Sequence, residues 1–239
     1  MRWAAIGGME VIMTDRFVMD DFTVSLPEDK MIERLCLTEE EDIQLMLENR
    51  AKALELARPK ALYGLCDVGN IGEDSAVIDG IPFESEILAG NLREAGAHKV
   101  FAYVVTCGTE VDEWSHLEQD YFVSLWLDML KEMILGEART QFIGRLRERY
   151  GFQKLASMSP GSGNLDTWPI AQQKLLFGLL GDVERDIGVQ LTDGFLMLPT
   201  KSVSGILYPS DAEFITCSLC RRENCQSRRA PYREPVGAR

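Results

Sequence analysis

The sequence predicts an α+β fold in which a twisted antiparallel sheet is flanked by long helices. Long amphipathic stretches without proline occur beside short apolar runs that have the length of strands. These elements do not alternate regularly, which argues against a doubly wound parallel sheet. The 239 residues suit one domain, or one domain with a small appendage. Because 46% of them are hydrophobic, they supply enough apolar side chains for a sizeable core.

The N-terminal part is predicted to contain short strands and two helices. Residues 1–16 are expected to be irregular or an edge strand, and Pro27 is expected in a turn. Thr38 and Glu41 match a capping box, so a helix is predicted to begin there and to end before Pro59. The other elements predicted here are strands at 17–26, 61–66 and 75–78 and a helix at 83–94 that Gly96 ends.

The C-terminal part is organised around one apolar strand and one long helical region. Residues 99–105 include a continuous apolar run, which predicts a central strand. Residues 111–150 contain no proline and are predicted to be helical up to Gly151. Pro169 begins the next helix, whose leucine stripe is assigned to the core and whose end is followed by Gly188. The remaining predicted strands are 195–198, 202–208 and 214–216.

Two loops rich in glycine and serine flank this last helix, at residues 159–163 and 202–205. Small residues and hydroxyl groups let a ligand approach the backbone closely. Two ordinary turns around a core helix would explain the same residues. Asp166 stands where a dinucleotide-binding fingerprint has its third glycine, and no glycine-rich loop precedes the Thr-Lys-Ser sequence at 200–202. Neither of these two nucleotide sites is therefore predicted.

Five motifs occur in an order that is more specific than any one of them. They are Ser159-Pro-Gly-Ser-Gly163, Trp168-Pro169, Gln173 with the leucine-rich run 175–180, Gly188-Val-Gln-Leu-Thr192 and Pro199-Thr-Lys-Ser-Val-Ser-Gly205. Together they resemble the reactivation domain of cobalamin-dependent methionine synthase, in a stand-alone form. The resemblance is clear over residues 157–214 and weaker back to residue 17. It implies an activation domain-like fold for residues 17–216, with residues 217–239 as a cysteine- and arginine-rich tail.

The resemblance also implies a function. In the family, the cobalt of cobalamin occasionally oxidises to the inactive Co(II) state, and the reactivation domain then holds S-adenosylmethionine over the corrin. One electron and the sulfonium methyl group restore methylcobalamin. We therefore expect this chain to serve a cobalamin-dependent methionine synthase, or a related corrinoid protein, in trans. An electron donor is expected as a further partner.

Particular residues are implied as contacts of S-adenosylmethionine. Glu137 is expected to hold the positive charge of the ligand, and Phe214 to pack against its adenine. The remaining contacts are expected from Ser159, Pro160, Gly161, Gly163, Ser202, Val203, Ser204 and Gly205. None of them is expected to act as a general acid or base. The turn from Thr106 to Gly108 is expected beside the ligand. The chain departs from the family at Ser157, because the long enzymes place an arginine just before the Pro-Gly turn.

The tail contains three clustered cysteines, Cys217, Cys220 and Cys225, among several arginines. A Cys-x-x-Cys pair often binds a metal, because two thiolates on one tight loop reach the same ion. An iron–sulfur cluster and zinc both usually need a fourth ligand. That ligand could be exogenous or one of the other cysteines, Cys36, Cys66 and Cys107. Free thiols or a redox pair are equally open as interpretations.

The net charge of −13 argues against nucleic acid and anionic membranes as partners. No apolar run reaches transmembrane length and no secretory signal is recognised, so a cytoplasmic location is expected. Two alternative functions remain open. The chain could be an iron–sulfur electron-transfer protein that reduces a corrinoid protein without binding S-adenosylmethionine. It could also be a non-catalytic interaction module in which zinc stabilises the tail.

Overall fold

The computed structural model describes residues 5–6, 9–10, 15–162, 167–210 and 230–232. Its centre is a seven-stranded sheet in which all paired strands are antiparallel. The strands are β3 (Arg16–Met19), β4 (Lys60–Ile71), β5 (Ser75–Ile78), β6 (Ile81–Glu84), β7 (Lys99–Thr106), β8 (Leu155–Met158) and β11 (Ser202–Pro209). Outside this sheet, β1 (Ala5–Ile6) pairs with β2 (Met9–Glu10), and β9 (Gln190–Leu191) pairs with β10 (Met197–Leu198).

The strand order is β6-β5-β4-β7-β11-β8, and β3 adds to the first part of β4. One side of β4 pairs with β7, while its other side pairs first with β3 and then with β5. The β4–β5 pairing contains a register shift between Val68 and Ile71. The apolar strand β7 lies between β4 and β11. Its predicted central place in the sheet is therefore confirmed.

Seven α-helices surround the sheet in the described part of the chain: α1 (Glu28–Leu35), α2 (Glu40–Leu56), α3 (Glu86–Glu94), α4 (Thr109–Ser115), α5 (Tyr121–Tyr150), α6 (Gln173–Leu180) and α7 (Val183–Ile187). A short 3-10 turn, Ile170–Gln172, precedes α6. The longest helix, α5, ends at Gly151, which adopts a φ of 72° as the sequence predicts. None of the helices within the described ranges is long and apolar enough to cross a membrane.

Helices cover both faces of the sheet. Tyr103 of β7 packs against Phe142 of α5, with their ring centroids 5.5 Å apart. The next residue, Val104, points to the opposite face. It belongs to a core cluster with Trp168 and with Leu176, which lies in α6. A third apolar cluster joins α1 and α2 to α4 and α5. This arrangement confirms the predicted α+β class, with an antiparallel sheet flanked by long helices.

Two predictions near the N-terminus are wrong. Pro27 does not lie in a turn but directly precedes α1, whose first turn is acidic and whose last turn contains Arg34, charges that suit the helix dipole. Thr38 does not cap α2. Its hydroxyl instead donates to a carboxylate oxygen of Glu39 over 3.3 Å, and the helix begins at Glu40. The predicted end of α2 before Pro59 is confirmed, since the helix stops at residue 56.

Several predicted segments prove to be two elements, because a polar side chain starts a new helix within them. The segment 83–94 consists of the end of β6 followed by α3, and the Ser85 hydroxyl accepts a hydrogen bond from the Leu88 N–H over 3.0 Å. The segment 111–150 is split into α4 and α5, and Asp120 caps α5. Helix α6 ends at Gly181, and α7 intervenes before Gly188.

The extents of some strands also differ from the predictions. Of residues 17–26 only the first few belong to β3, and of residues 195–198 only the last two belong to β10. The strand predicted at 61–66 continues to Ile71, where it pairs with β5. The predicted strand 214–216 lies outside the described residues.

Candidate ligand-binding site

The first half of β11 lies at an open edge of the sheet. Strand β11 pairs with β7 from residue 202 to residue 207, whereas β8 pairs with it only from residue 206 to residue 209. On the side away from β7, residues 202–205 therefore have no strand partner among the described residues. Backbone N–H and C=O groups at such an edge can bind a ligand. Four predicted contact residues, Ser202 to Gly205, occupy this edge.

Gly205 is the point where β11 and the end of β8 come closest. A Cβ atom at this position would clash with the Met158 carbonyl oxygen and would lie 2.7 Å from the Ser159 hydroxyl. The absence of a side chain therefore lets the 159–162 turn lie beside the open edge. In that turn, the N–H and the hydroxyl of Ser162 both donate to the Ser159 carbonyl, over 3.2 and 2.7 Å.

Gly161 fixes the other side of this turn. Its φ of 75° favours glycine, and an added Cβ would lie 2.5 Å from Cδ1 of Ile170. Its N–H donates to the carbonyl of the buried Trp168 over 2.8 Å. The predicted Pro-Gly turn is thus tied to the start of α6. Gly163, which was predicted to belong to the same site, lies outside the described residues.

A groove of about 260 Å³ runs between the turn, the open strand edge and the β9–β10 hairpin. Five predicted contact residues line it, namely Ser159, Pro160, Ser202, Val203 and Ser204. Six residues that the sequence did not indicate as contacts also line it: Ile170, Gln173, Phe195, Leu196, Met197 and Thr200. The two glycine- and serine-rich loops, which are distant in the sequence, therefore form one site, which we call the small groove.

Gln173, one of the residues that line the small groove, contains a buried hydrogen-bond donor. Its side chain is 2% exposed, and its amide nitrogen has no hydrogen-bond partner within the described ranges. The neighbouring Gln172 is fully engaged, because its amide bonds the backbone of Glu84 and the indole of Trp168. A buried donor without an acceptor costs about 1–3 kcal/mol. An acceptor atom on a ligand in this groove would remove that cost.

Phe195 places an aromatic ring at the small groove. It adopts a φ of 64°, which is rare for a bulky residue. Two hydrogen bonds hold the hairpin in this shape: the Phe195 N–H donates to the Thr192 carbonyl over 3.0 Å, and the Thr192 N–H donates to the Leu196 carbonyl over 2.8 Å. The sequence suggested Phe214 as the aromatic contact, but Phe214 lies outside the described residues. In the sequence, the Asp-Gly pair directly before Phe195 indicates a hairpin turn, and this was the available signal that Phe195 lies at the tip of a loop.

Glu137 lies in a second, larger groove of about 720 Å³ between α5 and the segment around α1. It is exposed and forms no ion pair or hydrogen bond with any described residue. Val203 lines both grooves, so the two meet at the open edge of β11. We refer to this second cavity as the large groove. Glu137 and the serines of the small groove thus line two adjoining grooves that share Val203.

The turn from Thr106 to Gly108 supports the site rather than lining it. The Ser202 hydroxyl donates to the Thr106 hydroxyl over 3.0 Å, and the Cys107 N–H donates to the Lys201 carbonyl over 3.0 Å. Gly108 approaches the Arg58 backbone so closely that an added Cβ would lie 2.5 Å from its carbonyl oxygen. These contacts set the start of β11, on which Ser202 lies.

The candidate metal ligands are separated in the chain's described part. Cys36 is exposed at the end of α1, whereas Cys66 and Cys107 are buried in two different apolar clusters. Burial raises the pKa of the Cys107 thiol to about 12, so it stays protonated near neutral pH. No group of three or more His, Cys, Asp or Glu side chains that could hold a metal occurs in the described ranges. Cys217, Cys220 and Cys225 lie outside them.

Comparisons with known proteins agree with this architecture. No curated protein sequence matches the chain. Thirteen chains of solved structures match it, among them the crystal structure of the MetH reactivation domain bound to AdoHcy. That structure superposes with a TM-score of 0.58 at 16% sequence identity, and the match covers 86% of this chain and 82% of the other. At this identity, the likeness shows a shared fold.

The sequence match is more specific than the structural one. The family model described as the vitamin B12 dependent methionine synthase activation domain matches residues 93–230. These residues make up more than half of the chain. They include β7 and α5, both glycine- and serine-rich loops, and the whole of β11. The chain therefore belongs to the vitamin B12 dependent methionine synthase activation domain family.

Proposed function

We propose that this chain binds S-adenosylmethionine and presents it, in trans, to the cobalamin of a methionine synthase or a related corrinoid protein. One observation carries the proposal: most of the described residues expected to contact the ligand line two grooves that share Val203. Family membership supports it. So does the fold shared with a reactivation domain whose structure contains AdoHcy, the demethylated form of this ligand.

The small groove has features that suit the adenosine part of the ligand. Gln173 offers a buried donor to an acceptor atom of a base or ribose. Phe195 offers a ring against which an adenine can pack, and Phe214 is proposed for the same role. The hydroxyls and backbone of Ser159, Ser202 and Ser204 offer further polar contacts. Gly161 and Gly205 let the 159–162 turn pack beside this edge, and Gly163 is proposed as a further contact.

Glu137 supplies the negative charge that the proposal requires. A cationic ligand group in the large groove would meet a carboxylate that no described residue already neutralises. When bound, S-adenosylmethionine supplies the methyl group that the partner's cobalt accepts after it gains one electron, and S-adenosylhomocysteine is the other product. The chain itself needs only to bind and orient the ligand, because a sulfonium methyl is already activated.

The acidic character of the chain favours a partner with a basic face. The net charge of −13 would steer such a partner towards the chain and would repel nucleic acid. We expect this chain to bind the Co(II) state of the partner more tightly than its other cobalt states. Equal affinity for all of them would leave the populations of these states unchanged. Pull-downs with the partner prepared in each state test this preference, and equal recovery of both states would contradict it.

Calorimetric titration with S-adenosylmethionine tests the binding step. We expect binding that S-adenosylhomocysteine competes for and that Glu137→Gln weakens by about 1–3 kcal/mol, the scale of a hydrogen bond to a charged group. Glu148→Gln is the matched control, since Glu148 is an exposed carboxylate on the same helix and does not line the groove. Absence of binding heat, or equal effects of the two substitutions, would rule out this role of Glu137.

The cysteine cluster of the tail supports a second candidate function. Three thiols at short spacing among arginines suit an iron–sulfur cluster, which could deliver the electron that Co(II) needs, whereas zinc could not. In that case the chain would reduce a corrinoid protein without binding S-adenosylmethionine. Metal and labile-sulfide analysis of anaerobic protein, with Cys220→Ser as the variant, decides between the two metals. Stoichiometric zinc without sulfide would make the tail a structural site only.

A further inference from the structure

Arg139 of helix α5 has no anionic partner among the residues that the structure describes. Its Nη2 donates to the Ser157 hydroxyl over 3.3 Å. Its Nε is buried and has no hydrogen-bond partner among the described residues. None of their carboxylates forms an ion pair with it. A half-buried guanidinium that bonds only one neutral hydroxyl leaves most of its donors unused.

Three other arginines nearby are better satisfied. Arg34, which lines the same large groove, pairs with Glu132 over 2.6 Å. Arg145, on the same helix as Arg139, pairs with Asp21, and Arg149 lies 4.7 Å from the centre of the Phe17 ring. Arg147 of α5 and Lys30 of the large groove also form no ion pair with a described residue, but both are exposed to solvent. Arg139 is half-buried, and it lines the large groove in which Glu137 lies.

The two unpaired charges differ in sign and are two residues apart on one helix. Side chains at this spacing do not face each other, so Arg139 and Glu137 do not neutralise each other. Each charge is therefore open to a separate ligand group of opposite sign, and for Arg139 that group is an anion such as the α-carboxylate of a free amino acid. Arginine is suited to the carboxylate, because its planar guanidinium can donate two parallel hydrogen bonds.

We propose that Arg139 binds the α-carboxylate of the methionyl part of the ligand. This inference rests on the proposed function, since it assigns one end of the S-adenosylmethionine site. Arg139 contacts Ser157 of β8. Ser157 stands where the long enzymes of the family are expected to have an arginine. Arg139 brings a guanidinium to that position from helix α5 instead.

A comparison of two ligands tests the assignment. S-adenosylhomocysteine contains the amino-acid group, whereas 5′-methylthioadenosine keeps the adenosine and thioether but lacks that group. We expect Arg139→Gln to weaken binding of S-adenosylhomocysteine about 10- to 100-fold and to leave binding of 5′-methylthioadenosine unchanged. Arg139→Lys, which keeps the charge but loses the planar fork, should retain part of the affinity.

Arg145→Gln is the matched control, because it makes the same substitution on the same helix outside both grooves and should leave both affinities unchanged. Retained binding of 5′-methylthioadenosine shows that each variant is folded. If the wild-type chain binds S-adenosylhomocysteine and Arg139→Gln weakens neither ligand, or weakens both equally, the assignment is wrong. If the wild-type chain binds neither ligand, the proposed function itself fails, and the assignment fails with it.

Discussion

Gly205 is the residue on which the geometry of the small groove depends most directly. It lies between β7 and the end of β8, where the Met158 carbonyl leaves no room for a Cβ atom. Any larger residue must push β8 and the following Ser159 turn away from β11. The position therefore couples the packing of two strands to the shape of the site.

Gly205→Ala should destabilise the fold by about 1–3 kcal/mol, because overpacking against backbone atoms forces the strands apart. It should also weaken ligand binding. Gly144→Ala is the control, since an added Cβ at this position of α5 meets nothing within 4 Å. That change should stabilise the helix by about 0.5–1 kcal/mol. Chemical denaturation of both variants measures the difference, and equal stabilities would contradict the packing argument.

Cys107 makes stability depend on pH in the alkaline range. Burial raises its pKa from 9.0 to about 12 in the folded chain. The unfolded chain therefore releases the proton first, so this contribution is complete below about pH 9 and is lost as the pH rises towards 12. We expect the free energy of unfolding to fall less steeply over this range for Cys107→Ala than for the wild type. Parallel pH slopes of the two proteins would show that the thiol does not contribute.

The sequence indicated some site residues and not others for a physical reason. Ser159 and the 202–205 stretch stand out locally, because small and hydroxyl-bearing residues gather in loops. Gln173, Phe195 and Arg139 have ordinary local contexts. Their roles depend on which helix or hairpin packs beside β11, and that packing is set by contacts distant in sequence.

At the scale of elements, helix α5 connects the core to the site. Its apolar side packs on β7 and β4, its exposed side carries Glu137, and its buried Lys131 binds Asp112 of α4 over 2.7 Å. A second ion pair joins Asp128 of α5 to Lys201 over 2.7 Å. Lys201 lies in the loop that leads into β11. Helix α5 therefore holds α4 and the start of β11 together.

Lys131→Met should destabilise the fold by about 3–5 kcal/mol, because Lys131 and Asp112 are 3% and 7% exposed and the remaining carboxylate would be buried without its partner. The double substitution Asp112→Asn with Lys131→Met should recover much of this loss. Lys52→Met, which removes an exposed pair with Glu55, should cost less than about 1 kcal/mol. Thermal or denaturant unfolding tests the order, and similar losses for Lys131→Met and Lys52→Met would refute it.

Long elements were more predictable than short ones. Strand β7 and the C-terminal end of α5 follow from a continuous apolar run and from Gly151. Helix α1 and strand β6 were missed, because elements of eight and four residues give little periodicity against which to recognise them. Their place is set by tertiary packing, as the burial of Met31 and Phe83 shows.

At the scale of the whole molecule, the proposed ligand-binding edge lies on an acidic chain. The two grooves meet at β11, and the exposed side chains of Ile170, Leu196 and Leu198 lie near the small groove. A partner that docks at this edge would cover the ligand and exclude water from it. The sequence pattern was enough to predict the fold class. It could not predict that the two grooves adjoin, because this depends on the order of the strands in the sheet.

Transfer of a labelled methyl group tests the central claim most directly. A methionine synthase that lacks its own reactivation domain is mixed in the Co(II) state with a chemical reductant, S-adenosylmethionine carrying a deuterated methyl group, and this chain. We predict that labelled methylcobalamin forms when the chain is present, that excess S-adenosylhomocysteine suppresses it, and that Glu137→Gln slows it while Glu148→Gln does not. Formation of labelled methylcobalamin at the same rate without the chain would contradict the account.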